Sequence, residues 1–310
     1  QDEDIIVKDF ASAIQSRGSF LVANAFVMWG YQNEKIRKLI EKVQQEYYLL
    51  VMGWGFFDDN IISLSHTVAN IERSVPFIQK GKKLPSRFKH TPVFIIGNGP
   101  SLDESLDIIK ENKDGAILVA CGSAISALHK VGIKPDIYVA IERTKIVYDF
   151  LVNLNDPDYL QDILFFSADV IHPDCASLFK SSAFVFKLSE PGVRLYHNYF
   201  PHVGSYVSLG GINPLVGNIG IAAPIHLGFK TLYLFGLDNG YKHKGHHHSK
   251  FSSYYNNEEN AYALGEMMYG DSLWQREGNF GETIISNAMF DTSRWVIEQV
   301  LAANEDVSCF

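Results

Sequence analysis

Cysteine is scarce in this chain, and no motif surrounds the few cysteines that are present. The 310 residues include three, Cys121, Cys175 and Cys309, which are odd in number, far apart and without a C-x-x-C spacing. They indicate neither a disulfide framework nor a zinc site. This cysteine usage predicts a reducing, cytoplasmic location.

Long apolar runs and an excess of basic residues are also missing. The two most continuous apolar stretches, 20–29 and 47–57, are about eleven residues each, well short of the ~20 that a membrane span needs. The net charge of -8 is spread along the chain and offers no basic stripe, so nucleic acid is not an expected partner. The chain opens without an initiator Met, a basic region or an apolar signal core, which argues against a secretory signal.

The composition that is present, 46% apolar and 20% charged, predicts a globular protein with at least one full core. Apolar positions from Ile36 to Val43 recur at helical spacing, and we expect residues 1–88 to form a helical N-terminal segment. From Pro92 onward, β-rich runs alternate with helical patterns. The predicted strands are 93–96, 116–120, 137–141, 163–166, 184–186 and 231–235. This rhythm predicts an α/β, Rossmann-like domain over residues 89–310, with a mostly parallel sheet and helices on both faces.

Ligands of open parallel sheets bind beyond the carboxyl ends of the strands, so the residues that follow each strand are the candidates for a site. These residues are Gly97, Asn98, Gly99, Pro100 and Ser101, then Cys121, Gly122 and Ser123, then Glu142, Asp169, Asp238 and Tyr241. Gly97 and Gly99 permit a tight turn and a close backbone approach, and Asn98 offers an amide to a nucleotide. A purely structural turn is the alternative, because Ser101 to Glu104 has the pattern of a capping box. Leu102 breaks the G-x-G-x-x-G fingerprint, and no Walker lysine is present.

A second glycine-rich stretch precedes a predicted helix. Gly210, Gly211 and Asn213 lie before the helix and are candidates to present backbone N–H groups to an anion. For Gly217 and Gly220, inside the helix, close packing against the sheet is the better interpretation.

Several of these segments resemble the motility accessory factor (Maf) proteins. They are Ile95–Leu102, Gly132–Asp136 and Leu227–Asp238, within a resemblance that covers about residues 70–300. Maf proteins are flagellin glycosyltransferases of the domain family that also contains archaeal 6-hydroxymethylpterin diphosphokinases. The resemblance implies transfer of a nonulosonic acid of the pseudaminic or legionaminic type from its CMP-activated form to Ser or Thr of flagellin. It implies a role in flagellar assembly and motility, and no cofactor beyond the CMP-sugar donor.

Bacterial sialyltransferases that use CMP-sialic acid are similar in the segment around Asn98. The similarity implies that Asn98 and its glycines contact CMP, and that Tyr241 steadies the leaving phosphate. Gly122 departs from those enzymes, which carry Asn there, so Ser123 or a backbone group would have to substitute.

The general base stays open among four residues: His248, Asp238, Asp169 and Glu142. The tripeptide from His248 to Lys250 is similar to one around the catalytic histidine of the sialyltransferases, but it lies nearer to the last strand. We expect His243 and His246 to be solvated, and we predict no metal site in the histidine cluster.

Two other functions compete with glycosyl transfer. A pterin diphosphokinase would bind ATP with Mg²⁺, which Asp169 and Asp238 would hold if they lay at neighbouring strand ends. A non-catalytic flagellin-binding module would use the aromatic residues Trp54, Phe56 and Phe57 as its contact surface.

Overall fold

The fold is described here from a computed structural model. It describes residues 9, 10, 13, 33–51, 55, 57–188, 190–200, 204–243, 246–255, 273–279 and 281–310. The apolar stretch 20–29 and the aromatic residues Trp54 and Phe56 lie outside this part of the chain. None of the described helices is both long enough and apolar enough to cross a membrane.

The chain divides into two compact units, Gln1–Trp54 and Gly55–Phe310. The first contains helix α1 (Glu34–Val51), which includes the positions Ile36 to Val43 where the sequence shows helical spacing. The division differs from the boundary expected near residue 88. Helix α2 (Phe57–Glu72) and Phe77, which bridges to Phe184 in the sheet, belong to the second unit.

Eight parallel strands form the main sheet among the described residues. They are β1 (Val93–Ile96), β2 (Ile117–Cys121), β3 (Ile137–Ala140), β4 (Leu164–Ala168), β5 (Ser181–Lys187), β6 (Ser208–Leu209), β7 (Thr231–Phe235) and β10 (Ser308–Cys309). Strands β8 (Trp274–Glu277) and β9 (Thr283–Ser286) form a separate hairpin. The order of the eight strands across the main sheet is β10-β7-β1-β2-β3-β4-β5-β6. The predicted α/β, Rossmann-like sheet is therefore confirmed, with six of its strands near their predicted positions.

Seven further α-helices lie among the described residues. They are α3 (Leu102–Asn112), α4 (Ala124–Lys130), α5 (Ile146–Val152), α6 (Pro157–Gln161), α7 (Pro191–Tyr199), α8 (Val216–Leu227) and α9 (Ala288–Ala302). Helices α3 to α6 pack on one face of the sheet, and α8 and α9 pack on the other. All four side chains of β1 are buried, as expected for a strand that is covered on both faces.

Helix α8 approaches the sheet closely because its glycines have no side chains. A Cβ atom at Gly220 would lie 2.4 Å from Cys121 Sγ, and one at Gly217 would lie 2.4 Å from Leu237 Cδ2. The packing interpretation of these two glycines is confirmed.

Asp136 fixes the start of β3, since its carboxylate accepts a hydrogen bond from Leu118 N at 2.8 Å.

The order of the strands places a topological switch point between β7 and β1. The chain moves in one direction across the sheet from β1 to β6 and then returns to place β7 on the other side of β1. After β1 the chain crosses to the face that carries α3. After β7 it passes Phe251 on that same face before it reaches α9 on the opposite face. Ligand crevices of open α/β sheets lie at such points, beyond the carboxyl ends of the strands.

Candidate functional site

The carboxyl edge of the sheet has two halves of different chemistry. The loop half comprises the residues that follow β7, β1 and β2, together with the segment 246–255 that lies against them. The charged half comprises the residues that follow β3, β4 and β5, together with the polar side chains of α2. The sequence predicts site residues in both halves, and the structure places those residues as follows.

In the loop half, the turns after β1 and β7 are in direct contact. Ile96 is in register with Phe235, so Gly97 comes to lie beside Gly236, and a Cβ atom at Gly97 would be 2.4 Å from the Gly236 oxygen. A Cβ atom at Gly99 would be 2.3 Å from Asp238 Oδ2. Both glycines are therefore needed for packing between the two turns, whether or not a nucleotide also approaches them.

Asp238 binds the turn that contains Pro100 and Ser101. Ser101 N donates to Asp238 Oδ2 at 2.8 Å, and Ser101 Oγ donates to Oδ1 at 2.7 Å. Burial raises the pKa of Asp238, while the hydrogen bonds from Ser101 act in the opposite direction. The predicted capping box is wrong, because the Ser101 side chain makes no capping hydrogen bond to α3.

Asn98 links the ends of β1 and β2 to the segment 246–255. Its side chain is buried, and Nδ2 donates to Ser123 Oγ at 2.9 Å and to Ser252 Oγ at 2.8 Å. Asn98 Oδ1 is buried and has no hydrogen-bond partner among the described residues. Ser249 N donates to the Asn98 carbonyl oxygen at 2.8 Å. The predicted residues Asn98 and Ser123 are thus adjacent.

His248 lies in the same cluster and is half-buried. Burial lowers the pKa of His248 to about 4, and the neighbouring His247 acts in the same direction. The pKa of His248 therefore lies well below the value of about 6.5 of an unperturbed histidine. His248 is neutral at physiological pH, whereas His243 and His246 are exposed, as predicted.

Asp103 anchors the segment 246–255 to the start of α3. Its carboxylate accepts hydrogen bonds from Ser249 Oγ at 2.5 Å and from Lys250 N at 3.1 Å, and His246 Nε2 lies 3.7 Å away. A carboxylate thus already occupies the first turn of α3, where the helix dipole would otherwise favour a phosphate.

Three other predicted residues contribute packing at this edge. Cys121 is buried beneath α8, and burial raises the pKa of its thiol to about 12. Its contact with a nucleotide stays a prediction. Gly122 has a φ of +55° and faces Val216. Tyr241 is buried, and its backbone pairs with Ile285 of β9.

The glycine-rich stretch after β6 is partly explained by packing as well. Gly211 has a φ of +71°, and a Cβ atom there would be 2.5 Å from Val300 Cγ2 of α9. Gly210 is exposed, and Asn213 is half-buried. Helix α9 therefore leaves no room for a side chain at Gly211.

In the charged half, Asp169 is completely buried under α2. Lys187 N donates to Asp169 Oδ1 at 2.7 Å, and Thr67 Oγ1 lies 2.6 Å from Oδ2. Thr67 Oγ1 also lies 2.9 Å from the Ser63 carbonyl oxygen. A hydroxyl has a single proton, so both contacts are hydrogen bonds only if Asp169 is itself protonated. Burial raises the pKa of Asp169 to about 7, in agreement with this proton count.

Four charged side chains form a network of ion pairs, and two of them, Glu190 and Lys187, act on Asp169. Glu190 Oε1 lies 2.8 Å from Lys187 Nζ and 2.8 Å from Arg143 Nη2, and Arg143 Nη1 lies 3.4 Å from Asp59 Oδ1. Lys187 and Glu190 are almost completely buried. Glu142, the remaining predicted base, is exposed at the end of β3 and accepts a hydrogen bond from Arg143 N at 3.1 Å.

The structure separates the two carboxylates expected to share Mg²⁺. Asp238 follows β7 and Asp169 follows β4, and β1, β2 and β3 lie between these strands. At ~4.8 Å per strand the two strand ends are roughly 19 Å apart. The prediction that Asp169 and Asp238 lie at neighbouring strand ends is wrong. Within the described residues, no group of three or more His, Cys, Asp or Glu side chains is arranged to hold a metal ion.

Sequence reasoning missed several residues of this edge. Ser252 and Tyr254 lie in a segment without strand or helix periodicity, and nothing in its pattern indicates contact with Asn98. Lys187 carried a usable signal, since a charged residue directly after the apolar run Phe184–Phe186 marks a strand end.

Comparisons with known proteins agree with this fold. The family described as 6-hydroxymethylpterin diphosphokinase MptE-like matches residues 65–244. The structure of the Maf glycosyltransferase from Magnetospirillum magneticum AMB-1 is similar with a TM-score of 0.70, at 23% sequence identity over 99% of this chain. An uncharacterized protein of Treponema pallidum (strain Nichols) is 32% identical over 66 residues, which are 21% of this chain. The chain covers 44% of the Maf glycosyltransferase and 31% of the Treponema protein, so it spans less than half of either.

Proposed function

The chain belongs to the 6-hydroxymethylpterin diphosphokinase MptE-like family, and from that premise we propose that it is a glycosyltransferase. The proposed reaction moves a nonulosonic acid of the pseudaminic or legionaminic type from its CMP donor to Ser or Thr of flagellin. The proposed setting is the cytoplasm, before flagellar assembly, so that motility depends on the reaction. No cofactor beyond the CMP-sugar is required in this proposal.

The observation that carries the proposal is the fold similarity to the Maf glycosyltransferase, which extends over 99% of this chain. A second observation supports it: Asn98, Ser123 and His248 meet at the carboxyl ends of β1 and β2, beside the switch point. Nucleotides bind at such positions in open α/β sheets. Asn98, Ser123 and His248 are therefore the proposed donor-site residues of the loop half.

In the proposed reaction, the acceptor hydroxyl oxygen attacks the anomeric carbon of the sugar. The bond from that carbon to the CMP phosphate oxygen breaks, and CMP leaves with the bonding electrons. His248, as a neutral imidazole, accepts the proton of the hydroxyl. Asn98 and Ser123 orient the nucleotide. The phosphate is placed away from the start of α3, where Asp103 would repel it.

A diphosphokinase activity is the second candidate, and the description of the matching family favours it. It requires ATP and Mg²⁺ together, and Asp169 and Asp238 do not fit a shared Mg²⁺ because three strands separate them. The third candidate, a non-catalytic flagellin-binding module, retains only Phe57 of its predicted surface within the described residues, with 78% of that residue exposed.

A ligand panel tests the proposal. We expect CMP to raise the melting temperature of the chain without Mg²⁺, because a ligand at 100 times its Kd stabilises the native state by about 2.7 kcal/mol. ATP, CDP and a pterin, each with and without Mg²⁺, are the comparison. A response that needs both ATP and Mg²⁺ would favour the diphosphokinase, and no response to any nucleotide would favour the binding module.

Transfer itself is measured with a CMP-activated nonulosonic acid and purified flagellin, by the mass added to flagellin. We expect one sugar mass for each modified Ser or Thr. An unmodified acceptor in the presence of bound CMP would contradict the choice of acceptor or sugar, but not the choice of nucleotide.

A further inference from the structure

The described contacts of the His248 ring include the backbone of Asn98, in the turn after β1, and the rings of His247 and Tyr254 from its own segment. The ring makes a hydrogen bond to the backbone carbonyl of Asn98, in the turn after β1. Its flat face lies on Tyr254, with ring centroids 4.6 Å apart and an angle of 18° between the planes. A stacked neighbour keeps the imidazole in a plane nearly parallel to the Tyr254 ring, and the hydrogen bond fixes which ring nitrogen faces Asn98.

Tyr254 is itself fixed by contacts that do not involve His248. Its side chain makes a hydrogen bond to the side chain of Ser123, at the start of α4. Phe150 packs edge-on against the Tyr254 ring, with centroids 5.3 Å apart. Tyr254 N donates to Ser252 Oγ at 3.3 Å, and Ser252 is bound in turn by Asn98. The tyrosine ring is therefore an anchored platform.

The contact with Asn98 determines which nitrogen of His248 carries the proton. A neutral imidazole has one N–H group, and a carbonyl oxygen can only accept. The nitrogen that faces Asn98 is thus protonated, and the other nitrogen has the lone pair that can accept a proton. A ring that rotated off Tyr254 would lose this distinction between its two nitrogens.

We propose that Tyr254 is a positioning residue for His248, and that it holds the imidazole in one tautomer against the Asn98 carbonyl. Nothing in the pattern of residues 246–255 assigns this role to Tyr254. The inference rests on the proposed function only for the catalytic use of His248, and the geometry of the ring is independent of the reaction.

The test is a nitrogen-15 NMR titration of the histidines in the full chain. Tyr254→Leu removes the platform, and Tyr254→Phe keeps the ring but removes the hydrogen bond to Ser123. Ser253→Ala is the matched control, because Ser253 lies beside Tyr254 in sequence and its hydroxyl contacts Ser126 instead. In Tyr254→Leu we expect a mixture of tautomers and a His248 pKa that rises from about 4 toward 6.5. Tyr254→Phe should move both quantities in the same direction by a smaller amount.

Kinetics provide the second measurement. Tyr254→Leu should lower kcat for sugar transfer by about 10- to 100-fold and leave KM for the CMP donor within about twofold. Ser253→Ala should match the parent chain in both measurements. If His248 keeps one tautomer and its low pKa in both Tyr254 variants, the proposal is wrong. If the parent chain transfers no sugar, the proposed function fails, while the NMR titration still decides whether Tyr254 positions His248.

Discussion

The two halves of the carboxyl edge use polar residues in opposite ways. In the loop half, Asn98, Ser123 and His248 are uncharged and belong to turns or to a segment of irregular structure. In the charged half, Lys187 and Glu190 pair at 2.8 Å in a buried position under α2. Both halves lie at the ends of parallel strands, where sequence reasoning expects ligands.

The difference teaches that a strand end is not a site merely because polar residues follow it. Buried ion pairs are costly to open, since removing one partner leaves an uncompensated charge. The charged half is therefore a fixed support that joins α2 to the sheet. In the loop half, the contacts that join Asn98 to Ser123 and Ser252 are hydrogen bonds between neutral groups, and they lie beside the switch point. A ligand can replace these contacts at lower cost.

The largest expected effect separates the halves by activity. His248→Ala should lower the rate of sugar transfer by about 10²- to 10⁴-fold and leave CMP affinity nearly unchanged, because it removes the proposed proton acceptor. The rate of the parent chain should fall at acid pH only near pH 4, where His248 becomes protonated.

His243→Ala is the matched control for this measurement, because His243 is exposed in the same histidine cluster. A normal rate in His248→Ala would show that the general base is another residue, with Glu142, Asp238 and Asp169 as the candidates. A joint loss of CMP affinity and rate would instead assign His248 to the binding pocket.

The next effect is on stability and concerns the charged half. Lys187→Ala should lower the free energy of unfolding by about 3–5 kcal/mol, because Glu190 would keep a buried charge with one of its two cations removed. Urea unfolding measures this. Lys145→Ala, which removes an exposed lysine 4.0 Å from Asp149, should cost less than about 0.5 kcal/mol. Similar losses in both variants would show that the buried network does not support the fold.

The sequence contains enough local signal to predict strands β1 to β5 and β7, since each is an apolar run bounded by turn residues. The sequence also predicts that Asn98 and Ser123 lie close together, because they follow consecutive parallel strands. The separation of Asp169 from Asp238 could not be predicted. Strand order depends on where the chain crosses back, and no local pattern encodes that crossing. The short strands β6 and β10 likewise depend on neighbours rather than on their own residues.

Asp169→Asn should change how stability depends on pH. The folded pKa of Asp169, about 7, lies above the value of about 4 for an unfolded chain. The folded protein therefore keeps a proton that the unfolded chain releases, and stability falls as pH rises from about 4 to about 7. The asparagine amide reproduces the protonated acid, with its oxygen facing Lys187 N and its NH₂ facing Thr67.

Urea unfolding at a series of pH values measures the effect of Asp169→Asn. At pH 8 the variant should be more stable than the parent chain by roughly 2–4 kcal/mol, and at pH 4 the two should be nearly equal. If Asp169→Asn is destabilised equally at both pH values, Asp169 is not protonated in the folded chain. It would then again be a candidate for an ionised general base.

The smallest expected effect tests whether Asp238 belongs to the chemistry or to the scaffold of the loop half. Asp238→Asn keeps one oxygen for Ser101 N, and its NH₂ group can donate to Ser101 Oγ. The free energy of unfolding should therefore fall by only about 1 kcal/mol. We expect the transfer rate to fall less than about tenfold, since the turn keeps its shape. Asp107→Asn, at an exposed position of α3, is the control and should change neither quantity. If Asp238→Asn instead lowers the rate more than about a hundredfold with a normal melting temperature, the carboxylate acts on substrate. In that case the loop half would contain two proton-transfer groups, and the assignment of the base to His248 alone would be wrong.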